Sequence, residues 1–373
     1  MPGLGALNKG GNAEVVSVSC GSPGYCEAGG YYGNHGKYDL TSGRGFVAGE
    51  VNGIWGRAVE VPGLGALNKG GNAAVSSVSC AGPDSCVAGG FYQNRGKQGF
   101  VADEVNGIWG RAAGVPGLGA LNAGGNAYLY SVSCASPGNC SVGGYYSTHA
   151  AGAQHAFVEH AFVVDETGGS WGTARQVAGN LATGPGANAF VDTVSCGSPG
   201  NCAAGGQFGD AAGDQAFVIS QVNGTWAAAQ AVARTRSSTG GAQVTSVSCA
   251  SAGNCAAGGQ FDYGGYNAAF LVNEKNGAWG KLIYVPGLNA VSRDAYLHSM
   301  SCAAAGNCAA GGDYDLGVFV AIEKNGVWGR QTTVPGQRVL EVNSVSCASA
   351  ASCVAGGSYV GPRPGYGLQG FVT

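Results

Sequence analysis

Val244-Thr245-Ser246-Val247-Ser248-Cys249-Ala250-Ser251-Ala252-Gly253-Asn254-Cys255-Ala256-Ala257-Gly258-Gly259-Gln260-Phe261 carries the pattern that decides the fold. A β-prone run ends in a cysteine and five residues follow. A second cysteine then opens a run of small residues closed by Gly-Gly and an aromatic. The same spacing recurs in Cys20/Cys26, Cys80/Cys86, Cys134/Cys140, Cys196/Cys202, Cys302/Cys308 and Cys347/Cys353. Successive first cysteines lie 45 to 62 residues apart. A period of about 50 residues with several strands per repeat marks propeller blades.

Each repeat extends outward in the same order. A third strand, typified by Gly99-Phe100-Val101-Ala102-Asp103-Glu104-Val105, is followed by Asn106-Gly107 and then Trp109. Asn-Gly is a strong hairpin signal because both turn positions tolerate positive φ. It returns as Asn52-Gly53, Asn223-Gly224, Asn276-Gly277 and Asn325-Gly326, with Gly168-Gly169 in the third repeat. No 3.6-residue apolar period appears. The expectation is one all-β, seven-bladed propeller over residues 1–373, with blades near 14–63, 74–117, 128–179, 190–233, 243–287, 296–336 and 341–373.

The six tryptophans give the strand order. Trp55, Trp109, Trp171, Trp226, Trp279 and Trp328 each open a fourth strand, but the seventh repeat stops at Phe371-Val372-Thr373. A ring can spare an outermost strand but not an innermost one. The Ser-Val-Ser-Cys strand is therefore placed at the central channel and the Trp strand at the rim. Blade seven is left with three strands and an open edge, a place for self-association or a partner's strand.

The order x-Val-x-Cys, Ala-Gly-Gly, Phe-Val, Asn-Gly-x-Trp resembles the BNR/Asp-box class of propeller repeat along the whole chain. Asn-Gly-x-Trp lacks that family's full Ser-x-Asp-x-Gly-x-x-Trp box. The resemblance implies the fold and the strand order rather than an activity. The cysteine-rich form is also similar to repeat proteins of secreting actinobacteria.

Composition excludes several classes. Net charge is −3 and 10% of residues are charged, which argues against a basic nucleic-acid footprint. No apolar run approaches a membrane span. The 71 glycines lack the three-residue period of collagen and suit tight turns between short strands. Three roles for the 14 cysteines compete. A metal site needs pairs that converge on one ion, and redox catalysis favours one special pair. Even number, uniform spacing and repetition favour structural disulfides, hence an oxidising compartment. Met1-Pro2-Gly3 opens without the charged and apolar regions of a signal peptide. The expectation is a secreted chain whose leader was removed, or a piece of a longer secreted protein.

Positions that vary between repeats are the candidates for recognition. The loop between strands two and three varies most. It supplies Tyr32, Tyr92 and Tyr146 after Gly-Gly, then Asp210, Asp262, Tyr263, Tyr266, Asp315, Arg363 and Tyr366. The first aromatic after Gly-Gly is read as blade core. Aromatic rings beside polar groups suit sugars, with rings on the apolar face and hydrogen bonds to the hydroxyls. The residue four before the first cysteine is Val16, Ser76, Tyr130, Asp192, Thr245, His298 and Asn343 in turn. It shares parity with the cysteine, so Tyr130, Asp192, His298 and Asn343 are candidates for a channel site or for a merely solvated wall. His149, His155 and His160 raise metal binding, but their spacing suits neither a helix nor a strand face. The repeated Ala-Phe-Val at 156–158 and 161–163 points to a longer third strand or an insertion.

No catalytic residue, metal or cofactor is assigned. The leading expectation is a secreted module that binds glycans or another extracellular ligand. A structural or protein-interaction propeller is the alternative. A sialidase-like glycosidase is third, because Arg57, Arg111, Arg175, Arg234, Arg236 and Arg330 fall in or after the Trp strand instead of converging on a substrate carboxylate.

Overall fold

The computed structural model describes residues 1–9, 11–33, 43–150, 156–183, 187–210, 213–232, 241–288, 294–315, 317–334, 339–360 and 368–372. The fold is an all-β, seven-bladed propeller with one disulfide in each blade. Two compact units divide the chain at Gly179/Asn180. The first holds blades one to three and the second blades four to seven.

Blade one shows the plan. Its strands are Ala13–Ser22, Tyr25–Tyr32 and Arg44–Val51, antiparallel and in sequence order. The expected fourth strand is broken in two. Ile54–Trp55 pairs with the end of strand three, the chain then swings out past Arg57, and Val59–Glu60 pairs with Val47 and Phe46. The break follows the residue after each tryptophan, a glycine in five blades and Ala227 in blade four; in blade one Gly56 N–H donates to Gly49 O at 2.7 Å. Six blades have this form and the seventh has three strands, Val339–Ser349, Ser352–Val360 and Leu368–Val372.

The expected cysteine pairs are all disulfides: Cys20–Cys26, Cys80–Cys86, Cys134–Cys140, Cys196–Cys202, Cys249–Cys255, Cys302–Cys308 and Cys347–Cys353. Partners sit directly opposite in the ladder, with Cα atoms 3.9 to 4.0 Å apart in all seven. The second cysteine of five pairs, Cys86, Cys140, Cys202, Cys255 and Cys308, is buried, while Cys26 and Cys353 are half-buried. Cys140 and Cys308 lie inside the apolar clusters of their blades, and Cys353 packs against that of blade seven. The turn inside the loop is only two residues, Pro23-Gly24 in blade one, because a bulge follows the first cysteine. A second bulge lies between Val15 and Ser17 and recurs at the same point of every first strand. This corrects the parity argument. The variable residue, Val16 in blade one, is itself the extra residue of the bulge, so it does not follow the simple alternation that links it to the cysteine.

The bulge explains the Ser-Val-Ser-Cys motif. Within the first unit, Ser17 Oγ accepts from Val78 N–H and Ser19 Oγ from Cys80 N–H, both at 3.0 Å. Ser77 and Ser79 do the same for Val132 and Cys134. Within the second unit, Thr193, Ser195, Ser246, Ser248, Ser299 and Ser301 repeat the contact to the following blade. The alternate residues of the strand point the other way, onto the preceding blade. A Cβ on Gly29 would come within 2.5 Å of Val75 and 2.6 Å of Val78. A Cβ on Gly30 would collide with Glu14 O. The two glycines of Ala-Gly-Gly thus serve separate needs: one receives the next blade's side chains, the other lets the bulged strand approach. Six blades each bury one phenylalanine completely on strand three: Phe46, Phe100, Phe162, Phe217, Phe270 and Phe319.

Asn52-Gly53 has φ values of 53° and 79°, the left-handed pair that a two-residue hairpin of this type requires. Gly168-Gly169 in blade three has 58° and 78°. The linkers hold one feature that the periodicity did not show. Leu4–Asn8, Leu64–Leu67 and Leu118–Leu121 are single helical turns. The preceding prolines latch onto the following strand four: Pro62 O accepts from Ala112 N–H at 2.7 Å and Pro116 O from Ala174 N–H at 2.8 Å. In blade three, strands two and three lengthen to 11 residues each, Asn139–His149 and Phe157–Thr167, so the repeated Ala-Phe-Val extends the hairpin.

Within the units, Trp109, Trp171, Trp279 and Trp328 each hydrogen-bond to the preceding blade. Trp279 Nε1–H donates to Ser220 Oγ at 2.8 Å, and Trp328 Nε1–H to Asn273 Oδ1 at 3.0 Å, each on strand three of the preceding blade. Trp279→Phe keeps the ring and removes the donor, so a loss of about 1–3 kcal/mol is expected in urea denaturation. Replacing Cys249 and Cys255 together by alanine opens one seven-residue loop and is expected to cost about 2.4 kcal/mol on the chain-entropy account. A double variant as stable as the parent would remove the disulfides from the stability argument.

Candidate functional site

Gly-Gly is followed by two aromatics in blades one to three, and alternation along the strand sends them to opposite faces. The second of each pair belongs to the blade. Tyr32 is buried and its hydroxyl donates to Glu60 at 3.0 Å. Tyr146 is buried and donates to Gln176 at 3.2 Å. Tyr92 is half-buried and packs in the blade-two core beside Phe100 and Trp109. Of the first of each pair, Phe91 and Tyr145 are buried, as expected, and Tyr31 is half-buried; Tyr31 and Phe91 also border an open space.

That space is a cavity of about 320 Å³ within the first unit, walled by Tyr31, Phe91 and Tyr128. Val16, Ala74 and Val75 complete its apolar lining, and Asn72 and Ser76 supply polar groups. The walls are held by cross-strand pairing. Tyr31 stands opposite Glu14 and donates to its carboxylate at 2.7 Å. Phe91 and Tyr128 rings lie 4.3 Å apart across the blade two–three seam. Tyr128 stacks with its cross-strand partner Tyr145 at 6.1 Å and an interplanar angle of 7°. Tyr130 continues the cluster, 5.4 Å from Tyr128 and 5.6 Å from Tyr145. Asn126 Nδ2–H fixes the Tyr145 hydroxyl at 3.1 Å.

A cation overlooks the walls. Lys97 Nζ is 5.5 Å from the Phe91 centroid and 5.0 Å from that of Tyr128, a cation–π geometry. Its backbone is clamped between blades, N–H donating to Gly125 O and the carbonyl accepting from Asn122. The phenols stay neutral at physiological pH. Burial, then Tyr145, pushes Tyr128 up to about 12. The hydrogen bond to Glu14, then burial, raises Tyr31. The wall therefore offers ring faces and hydroxyl donors in place of charges.

The other sequence candidates are dispersed. Val16, Ser76 and Tyr130 join this cluster, so the bulge position contributes to the site in the first three blades. In blade five, Thr245 Oγ1–H donates to Leu297 O at 2.5 Å. Asp192 is half-buried with Oδ2 closed off from water and without a partner among the described residues; burial pushes its carboxyl up to about 7. His298 pairs with Asp313, and Asn343 is exposed. Asp210 accepts from Gln215 at 2.7 Å, and Asp315 from Asp294 N–H at 3.2 Å. Asp262 caps its own loop through Gly265 N–H. Tyr263 stands 66% exposed, edge-on to Phe261 and Tyr284, with Tyr266 beside it at 42%. Arg234, Arg236, Arg363, Tyr366 and His155 lie outside the described residues. His160 is engaged by Thr148 and Gln176 and burial lowers its pKa; His149 packs on Phe157.

The cysteines take no part in the aromatic cavity, whose lining contains none of them. Cys140, Cys202, Cys308 and Cys353, like their partners, are consumed by disulfides and present no thiol for a metal, a nucleophile or a ligand. Their sulfurs close the hairpin at the opposite end of strand two from the Gly-Gly aromatics, so they serve the scaffold and not the site.

No family model and no curated protein matches the sequence. Solved structures share the architecture. The polysaccharide lyase Uly1 superposes with a TM-score of 0.56 at 10% identity, over 96% of this chain and 89% of the lyase. Acylaminoacyl peptidase from Pyrococcus horikoshii gives 0.52 at 8% identity, over 100% of this chain and 52% of the peptidase, so the chain spans about half of that enzyme. The β-propeller domain of the Trilobed protease from Pyrococcus furiosus, which has an open velcro topology, gives 0.50 at 7% identity over 96% and 95%. At such identities the likeness is one of fold.

Tyr128 is expected among the tyrosines that resist ionisation in an alkaline absorbance titration. Tyr128→Phe should remove one phenol from the fraction that titrates last. Loss of an early-titrating phenol instead would show the wall to be open to water.

Proposed function

We propose that this chain is a secreted, non-catalytic carbohydrate-binding module of lectin type, and that the aromatic cavity of blades one to three is a sugar site. The observation that carries the reading is three rings on three successive blades, Tyr31, Phe91 and Tyr128, around one 320 Å³ cavity with Asn72 and Ser76 at its border. Ring faces take the C–H face of a pyranose, and amide and hydroxyl groups hydrogen-bond its hydroxyls. Seven disulfides require an oxidising compartment. Among the described residues, no helix is long and apolar enough to cross a membrane. The non-catalytic reading is supported by where the arginines fall: Arg57, Arg111, Arg175 and Arg330 follow the tryptophans on the outer strand, and Arg175 is paired with Asp165.

A glycan array probed with fully oxidised protein tests this, followed by titration of the best hit against Tyr128→Ala and Phe91→Ala. Removal of an aromatic anchor is expected to weaken binding about tenfold or more. Silence across the array would overturn the sugar reading in favour of a protein-interaction propeller. Unchanged affinity in both variants would move the site away from this cavity.

A further inference from the structure

The seams inside the two units differ in one chemical respect. In the second unit the buried glutamates opposite Trp279 and Trp328 each meet a neutral partner that can donate. Glu274 accepts from Ser220 at 2.5 Å, and Glu323 accepts from Asn273. In the first unit the same glutamate meets another acid. Blade one has Gly49 where later blades carry Asp103, Ser220 and Asn273. Its acceptor comes from the adjacent strand instead. Glu27 fills the space over Gly49, where a Cβ would collide with its Oε1. There it meets the indole of Trp109 and the carboxyl of Glu104 from blade two.

Both glutamates are 6% exposed, and the Oε2 of each is closed off from water without a partner among the described residues. They border a cavity of about 220 Å³ whose other titratable and charged groups are Tyr25, Glu50, Arg57 and Asp84. The next seam repeats the theme. Asp103 accepts from Trp171 Nε1–H at 3.1 Å and lies beside Glu166, 5% exposed with its own unpartnered Oε2. Two ionised carboxylates cannot bond each other, since both only accept. One must carry a proton or the seam holds buried like charges.

We propose that the seams of blades one to three are proton-locked, each closed by a carboxylic acid between neighbouring blades, and that alkaline pH loosens this unit while the seams of blades five and six hold. Burial and then Glu104 push Glu27 up to about 8, and burial and then Asp103 push Glu166 up to about 7. Burial raises Glu274 and Glu323 as well, but there the hydrogen bonds from Ser220 and Asn273 favour the ionised form and pull the other way. A carboxyl whose pKa is raised by folding binds its proton more tightly in the folded chain. The stability it lends is fully present below the ordinary carboxyl value and is lost as pH rises through the raised one. The window is therefore pH 4.5 to about 8 for Glu27 and 4.5 to about 7 for Glu166. No ligand is involved, so the inference stands apart from the sugar reading.

Hydrogen exchange read by mass spectrometry, with intrinsic rates corrected for pH, tests it on the intact chain. Between pH 6 and pH 9 the strands Tyr25–Tyr32, Lys97–Val105 and Phe157–Thr167 are expected to lose protection, while Asn267–Lys275 and Gly317–Lys324 keep theirs. Glu27→Gln, an isostere of the protonated acid, should hold the first seam closed at pH 9 and leave the second still sensitive. Glu166→Gln should do the reverse, and either variant alone decides the matter. Equal loss of protection in Asn267–Lys275 and Gly317–Lys324, or a Gln variant that opens with pH like the parent, would overturn the lock.

Discussion

Everything in the blades depends on how the first strand of one blade meets the first strand of the next. That strand has a partner on one side only, so its other backbone donors face away from its own sheet. An edge of this kind is a liability unless something covers it. Here the cover is a serine. Within each unit, two hydroxyls per blade accept the N–H groups at the second and fourth positions of the following Ser-Val-Ser-Cys strand. The intervening valine packs back onto a glycine of the preceding blade. Burying amides next to hydroxyls at about 3.0 Å demands that successive blades keep a constant spacing. That demand explains why the motif scarcely varies while the loops do.

The bulge in the first strand is the second constraint. It lets side chains on either side of it serve opposite neighbours, and it brings the strand so close to strand two that only glycine fits opposite. The disulfide then pins the far end of the same hairpin. Glycine-rich strands lose more backbone entropy on folding, and a short covalent loop in each hairpin offsets part of that loss. The rim obeys a related rule at Trp109, Trp171, Trp279 and Trp328, whose N–H groups are satisfied by a polar residue of the preceding blade. Where that residue is an acid, as at Glu27 and Asp103, the packing rule and the electrostatics conflict, and the pKa of the buried partner rises.

The candidate site follows from the same alternation. Once Tyr32 and Tyr146 turn inward to Glu60 and Gln176, Tyr31 and Tyr145 must face the other way. In blades one to three these outward rings are large: Tyr31 and Phe91 line one cavity, and Tyr145 backs its third wall by stacking on Tyr128. Blades four and five carry Gln207 and Gln260 at the corresponding position and blade six Asp313, so they build no such wall. Asymmetry in one repeated position therefore makes the site local to one part of a regular scaffold.

The cysteine spacing, the Asn-Gly turns and the count of tryptophans made the fold, the blade number and the three-stranded last blade legible in the sequence, because each is a local signal repeated at a fixed interval. The pairing of aromatics after Gly-Gly was visible too, but not which of the two faces outward. That choice depends on the register set by the bulge, and a bulge leaves no mark in a β-prone string. The break in strand four, the helical turns of the linkers and the meeting of Glu27 with Glu104 were likewise hidden. Glu27 and Glu104 are 77 residues apart and lie on different blades. Sequence by itself determined the repeat and what each repeat must satisfy alone. Only the tertiary structure decided what one blade presents to the next, because those contacts join residues that no local periodicity connects.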